Sequence, residues 1–289
     1  MFLQQLINGV MLGSIYSLIA IGYNLILGVL DMITLAHGDV FMLGGFLGLF
    51  LVLSGVPLVL AFVGAMIAAG FISIICERLC FNPLKKASIL APLVSTIAFG
   101  MVLQNIAGQV WGSQATAFPR SYIEGTTFHL GSVSISTVQI AILCIALLLM
   151  VGIDLLINKT KLGRAVRAVS EDPETASLMG VSTRNIVLFT FMLAGALAGA
   201  AGMLVFLTFG QMDPYTGSKL GLFAMVAIVI GGMGSIRGAM VGGLILGMVE
   251  IMNAAYFMGS IRDIVFFGVM LVFIMVRPQG LFGAKIREA

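Results

Sequence analysis

The stretch VLFTFMLAGALAGAAGMLVFLTF, from Val187 to Phe209, runs for 23 residues without a charged side chain. An apolar helix needs about 20 residues to cross roughly 30 Å of hydrocarbon, so this segment reads as a membrane span. The rest of the chain agrees with it. Of 289 residues, 60% are hydrophobic and only 9% are Asp, Glu, Lys or Arg; the mean hydropathy is +1.14. A soluble domain is about 45–50% apolar and about 25% charged. So few charges could not cover a surface facing water. An ordinary soluble enzyme, a disordered chain and a nucleic-acid binder are excluded. The composition implies an all-α, polytopic integral membrane protein whose main partner is the lipid bilayer.

Working outward from Val187–Phe209, further spans are expected at about 5–30, 40–53, 57–76, 89–110, 138–157, 220–232, 239–255 and 262–276. About eight or nine helices would cross, in a single membrane domain over residues 1–289. The segments 40–53 and 220–232 are short and glycine-rich, as broken or re-entrant helices are. No positive region precedes the first apolar run and no Ala-x-Ala break follows it, so that span is expected to remain as a signal anchor. Cys76, Cys80 and Cys144 are odd in number and lie in apolar text. They read as buried small hydrophobes, and no metal site is expected, because histidine ligands are missing nearby.

The basic residues set the orientation. Arg78, Lys85, Lys86, Lys159, Lys161, Arg164, Arg167, Arg184, Arg237, Arg277, Lys285 and Arg287 fall on one side of this topology. Only Arg120, Lys219 and Arg262 fall on the other. The positive-inside rule makes the richer side cytoplasmic, with the N-terminus outside and the C-terminus inside. Two loops are long: an outer one from Trp111 to Thr137, which carries Arg120 and Glu124, and an inner one at about 158–186.

Among the 36 glycines, Gly9/Gly13, Gly44/Gly48, Gly195/Gly199, Gly234/Gly238/Gly242 and Gly243/Gly247 have the G-x-x-x-G spacing. Such residues let helix backbones approach closely in lipid. Polar groups inside hydrocarbon are expensive and usually face a cavity or a partner. His37, Asp39, Glu250 and Asn253 are therefore the candidates for a substrate path, with Glu250 and Asn253 on one helix face. His37, two residues from Asp39, is read as its hydrogen-bond partner or as a turn cap. Asn24, Gln104 and Asn105 read either as interhelical ties or as further polar groups of such a path. Asp154, near the end of its span, reads as snorkelling to the interface.

The inner loop contains EDPETASLMG, Glu171 to Gly180. Asp172 suits an N-cap, Pro173 the first helical position, Glu174 the first turn and Gly180 the position past the end. The spacing predicts a two-turn helix from Pro173 to Met179, with Ala176, Leu178 and Met179 giving an apolar side toward the cytoplasm. A helix that short is unstable alone. It is either a small helix resting on the membrane surface or a docking knob for a cytoplasmic protein.

Four stretches resemble one family. RAVRAVSEDP at Arg164–Pro173, continuing to Met179-Gly180-Val181, is similar to the cytoplasmic loop of branched-chain amino acid ABC-importer permeases. LAHGD at Leu35–Asp39 followed by FMLG at Phe41–Gly44, IGGMGSIRGA at Ile230–Ala239 and VRPQGLFG at Val276–Gly283 resemble further motifs of that family, in its order. The resemblance implies a transport subunit of the bacterial inner membrane without catalytic residues or cofactor. It implies separate cytoplasmic ABC ATPase subunits, a second related permease or a second copy, and a periplasmic substrate-binding protein. It places ATPase docking on Glu171, Asp172, Ala176 and Gly180. Urea or another small solute is the alternative cargo, and a stand-alone secondary transporter the alternative class. The chain contains no Gly-Lys dipeptide, hence no G-x-x-x-x-G-K-[ST] phosphate loop, so ATP hydrolysis would fall to another polypeptide.

Overall fold

The structure, a computed structural model, describes residues 2–84, 88, 90–123, 125–130, 133–256, 262–277 and 279–283. Lys85, Lys86, Glu124, Lys285 and Arg287 lie outside the described residues. The long helices are α1 (Phe2–Leu30), α3 (Leu58–Cys76), α4 (Leu90–Trp111), α5 (Thr137–Lys159), α8 (Thr183–Phe209) and α10 (Ile236–Tyr256). Shorter apolar helices are α2 (His37–Leu53), α9 (Thr216–Gly231) and α11 (Arg262–Val276), while α6 (Lys161–Glu171) and α7 (Pro173–Leu178) form the inner loop. All nine expected spans are therefore helices. Six are long and apolar enough to cross a membrane by length and composition.

The loops gather at two ends. At one end Gln4 exchanges two hydrogen bonds with the Ser134 backbone, 3.0 and 2.8 Å. There β2 (Thr127–Leu130) pairs with β3 (Val133–Ser136), and β1 (Thr116–Ala117) pairs with β4 (Gln211–Met212). At the other end, residues 281 and 282 lie along the end of α9, with Leu281 N–H donating to Ile230 O and Phe282 N–H to Gly231 O, both 2.9 Å. The described parts of this division follow the grouping of loops that the charge count requires.

Glycines set which helices touch. In α1 and α10 the expected motifs face each other: a Cβ at Gly13 would fall 2.7 Å from Leu244 Cα, and one at Gly9 would fall 3.0 Å from Met248 Cα. Ser17 Oγ donates across the same seam to Met240 O at 2.6 Å. Gly44 meets Gly199, where a Cβ would fall 2.7 Å from the opposing Cα. Gly234 is different. It belongs to the turn before α10 and packs no helix, because a Cβ there meets nothing within 4 Å.

The short helix α2 starts inside the bundle. A Cβ at Gly22, eight residues before the end of α1, would collide with the His37 ring. At 1.5 Å per residue that is about 12 Å back along α1. Residues 31–36 thus return into the protein before α2 begins. Thr96 Oγ1 on α4 accepts the Leu35 N–H at 3.3 Å, so protein groups replace water for this non-helical backbone. Cys76 and Cys80 are buried as expected, but Cys144 is exposed on α5.

Candidate functional site

The inner loop is built by two caps in succession. Thr160 ends α5, and its Oγ1 accepts the Gly163 N–H at 3.0 Å to start α6. Gly163, Val166 and Val169 of α6 are buried, while Lys161, Arg164 and Arg167 are exposed. Asp172 then caps α7: its Oδ1 accepts the N–H groups of Glu174 and Thr175 at 2.9 and 3.1 Å. Thr175 Oγ1 donates to the other carboxylate oxygen. These bonds, the Thr175 hydroxyl first, hold the Asp172 carboxyl below the usual carboxylate range. Gly180 has φ +83°, where a residue with a Cβ is strained.

α7 ends at Leu178, one residue earlier than expected, because Met179 has already left helical geometry. Ala176 does not face outward with its neighbours. It is buried, and Val181 N–H donates to its carbonyl at 3.0 Å. The exposed apolar surface is Leu178 at 88% and Met179 at 81%. Leu178 is two residues from Ala176, about 200° round a helix, so the two cannot share a face. Glu171 is exposed at the end of α6.

Inside the bundle, His37, Asp39, Glu250 and Asn253 are all buried. His37 does not pair with Asp39 and does not cap a turn. Two residues apart at the start of α2, they point about 200° apart. Asp39 instead accepts a hydrogen bond from Gln104 Nε2 on α4 at 2.9 Å. The His37 ring meets the edge of Tyr23, with centroids 4.6 Å apart. Neither ring nitrogen has a hydrogen-bond partner among the described residues. Tyr23 OH accepts the Gly38 N–H at 3.2 Å.

Glu250 lies in a second group. Tyr16 OH on α1 donates to its carboxylate, and Asn253 is buried one turn further along α10. Tyr16 also packs edge-on against Phe223 of α9 at 6.2 Å, and Phe223 stacks against Phe266 at 4.1 Å. The four intramembrane candidates therefore form two places, joined along α1 and α9.

The model of the family described as "Branched-chain amino acid transport system / permease component" matches residues 5–275. The chain belongs to this permease family. It is 37% identical to the high-affinity branched-chain amino acid transport system permease protein LivH of Salmonella typhimurium, covering 98% of this chain and 96% of that one. BraD of Pseudomonas aeruginosa, a permease protein of the same description, is 37% identical over the same shares. The probable branched-chain amino acid transport permease protein LivH of Methanocaldococcus jannaschii is 27% identical, covering 94% of this chain and 89% of that one.

Several groups in this permease escape a reading of the sequence alone. Tyr16 and Tyr23 are seven residues apart and so lie on one face of α1; that spacing was the available signal. Helix α6 was also legible, since Thr160 is a cap and Leu162, Ala165, Val166 and Val169 recur at helical spacing. Asn24 ties its helix to a turn rather than to another helix, accepting the Gly234 N–H at 2.7 Å. Asn105 is not: it donates to Met101 of its own helix and is exposed. Asp154 does more than snorkel. Its two oxygens take Arg237 Nε at 3.0 Å and a second guanidinium nitrogen at 3.2 Å, and Asn158 donates at 2.8 Å.

Proposed function

We propose that this permease is the membrane-spanning subunit of an importer that moves branched-chain amino acids across a bacterial inner membrane, with its N-terminus outside and its C-terminus in the cytoplasm. The observation that carries the coupling is α7. Its two turns are capped at both ends, its inner side is anchored by Ala176, and Leu178 and Met179 stand exposed, covered by none of the described residues. A short rigid helix with an apolar tip suits insertion into a groove on a partner. The end that bears it carries most of the Lys and Arg, which supports a cytoplasmic position and hence a cytoplasmic ABC ATPase as the partner. Glu171, Asp172, Ala176 and Gly180 shape the knob, while Leu178 and Met179 make the contact. A periplasmic substrate-binding protein delivers the cargo, and a second related permease or a second copy completes the membrane part.

A branched-chain amino acid presents an ammonium, a carboxylate and an aliphatic side chain. His37, Asp39, Glu250 and Asn253 are the polar groups on the path, set among apolar walls. Uptake of labelled leucine and labelled urea, by cells with and without the gene and again after ATP depletion at maintained membrane potential, tests the reading. Gene-dependent, ATP-requiring leucine uptake is expected. Urea uptake alone would overturn the substrate, and ion-driven uptake without ATP would overturn the importer. Leu178→Asp is expected to leave expression intact and abolish leucine uptake; normal uptake would overturn the docking role.

A further inference from the structure

Helix α4 carries two stripes on opposite sides. Thr96, Gly100, Leu103 and Ala107 are buried in the bundle, and a Cβ at Gly100 would collide with the Asp39 carboxylate. Ala98, Val102, Asn105 and Gln109 are exposed on the other side, and no described residue covers them. Their steps of four, three and four residues are the spacing by which one helix packs along another.

The exposed amides lie at membrane depth. The His37 ring stands level with Gly22, about 12 Å along α1 from Leu30 and about 30 Å from Phe2. Asp39 follows two residues later, and Gln104 Nε2 donates to it at 2.9 Å. Asn105 is the next residue of α4. Further along, the Trp111 ring packs on Phe46 with centroids 5.3 Å apart. Phe46 lies about 10 Å before α2 ends at Leu53, so Gln109, just before Trp111, is also below the end of the bundle.

Lipid does not suit this face. Asn105 Nδ2 donates to Met101 O of its own helix at 2.8 Å. The Asn105 side-chain oxygen and the Gln109 amide have no hydrogen-bond partner among the described residues. Hydrocarbon supplies none, so amides at this depth are expensive unless they meet protein or water. The other outward faces differ. The exposed positions of α3, and of α5 from Ile140 to Leu155, carry no amide, hydroxyl or charged side chain. Between the amides the α4 face is apolar, with Met101 58% and Val102 54% exposed. That mixture suits a packed helix better than a column of water. Ala98 is small enough to let another backbone come close.

We propose that the stripe of Ala98, Val102, Asn105 and Gln109 is the seam on which a second permease subunit packs, with the two amides paired to polar groups of a helix on that subunit. Asn105 fixes the register, as a single Asn within an apolar helix seam does. The assignment rests on the importer proposed above, whose membrane part a second permease completes.

The test uses the complete complex, with its ATPases and both permeases, in proteoliposomes. Asn105→Cys, Gln109→Cys and, on the α5 face, Leu148→Cys are each made in a Cys144→Ser background, Cys76 and Cys80 being buried. Each is labelled with a benzophenone maleimide and irradiated, and the products are identified by mass spectrometry. The labels at positions 105 and 109 are expected to join two permease chains, and that at 148 to give lipid adducts. Lipid adducts at all three positions, or no permease product at 105 and 109, would overturn the seam. Ala98→Trp adds bulk at an exposed position and leaves the single chain folded. It is expected to lose most of the second permease on purification, whereas Leu148→Trp retains it; full retention by Ala98→Trp would overturn the seam. The importer reading fails separately. Two permeases joined at 105 in a complex that transports without an ATPase would keep the seam and overturn the importer, while ATP-driven transport with lipid adducts at 105 would do the reverse.

Discussion

Helices α1 and α5 are both long and apolar, yet they occupy opposite places. The most apolar window of α5 has a mean hydropathy of 3.0 and is 28% buried. That of α1 has a mean hydropathy of 1.8 and is 83% buried. The more hydrophobic helix is the more exposed one. In water the order would be reversed. Lipid tails are as apolar as leucine, so hydrophobicity does not drive helices together within the bilayer. Close backbone approach and polar groups needing partners do. Helix α1 has Gly9, Gly13, Ser17, Tyr16 and Asn24, each engaged by a neighbouring element. Exposed positions of α5 carry Leu147, Leu148, Val151 and Leu155.

The sharpest way to break this contrast is one substitution made twice. Gly13→Leu inserts a side chain where even a Cβ falls 2.7 Å from Leu244 Cα. It should cost about 3 kcal/mol or prevent assembly. Gly152→Leu on α5 meets nothing within 4 Å and should be close to neutral. Thermal midpoints of the two purified variants decide it; equal losses would mean that α5 is packed as tightly as α1.

A smaller effect sharpens the polar half of the comparison. Tyr16→Phe removes the hydroxyl that donates to the buried Glu250 carboxylate and should destabilise by about 1–3 kcal/mol. Asn158→Ala on α5 removes a 2.8 Å bond at an exposed position and should be worth about 0.5 kcal/mol or less. Denaturation of both variants in the same detergent provides the comparison, which fails if Asn158→Ala is the more damaging.

The smallest effect lies beyond the end of α5, at the Asp172 cap. Its carboxyl is held below the usual range by Thr175 and backbone N–H groups. A depressed carboxyl contributes above its unfolded value and loses that contribution as pH falls through the folded one. Association of the ATPase with the permease should therefore be insensitive to Asp172 titration at neutral pH. The contribution should fade only below about pH 4. Asp172→Ala should weaken association modestly at pH 7, and the difference from the parent should shrink with acid. A difference that stays constant well below that pH would remove the cap from the explanation.

Much of the architecture was legible because it depends on local text and on solvent. Each of the nine spans became a helix, and the two-turn helix after Asp172 formed where its caps required. What was not legible involves direction and partner. His37 and Asp39 are neighbours in sequence, yet the turn of the helix sends one toward Tyr23 and the other toward Gln104. Ala176 reads as surface beside Leu178, but α7 is docked through it. Asn105 and Gln104 are adjacent amides, and only one found another helix.

The sequence by itself determined which segments form long apolar helices, where the shorter apolar ones lie and where the capped two-turn helix stands. Hydropathy, charge and capping act over a few residues, and each answers to water or lipid directly. Only the tertiary structure decided that α1 is central and that α2 starts inside the bundle. Those facts depend on which helix lies against which. In a bilayer that choice follows from backbone fit and paired polar groups between segments more than 200 residues apart, for which apolar composition carries no signal.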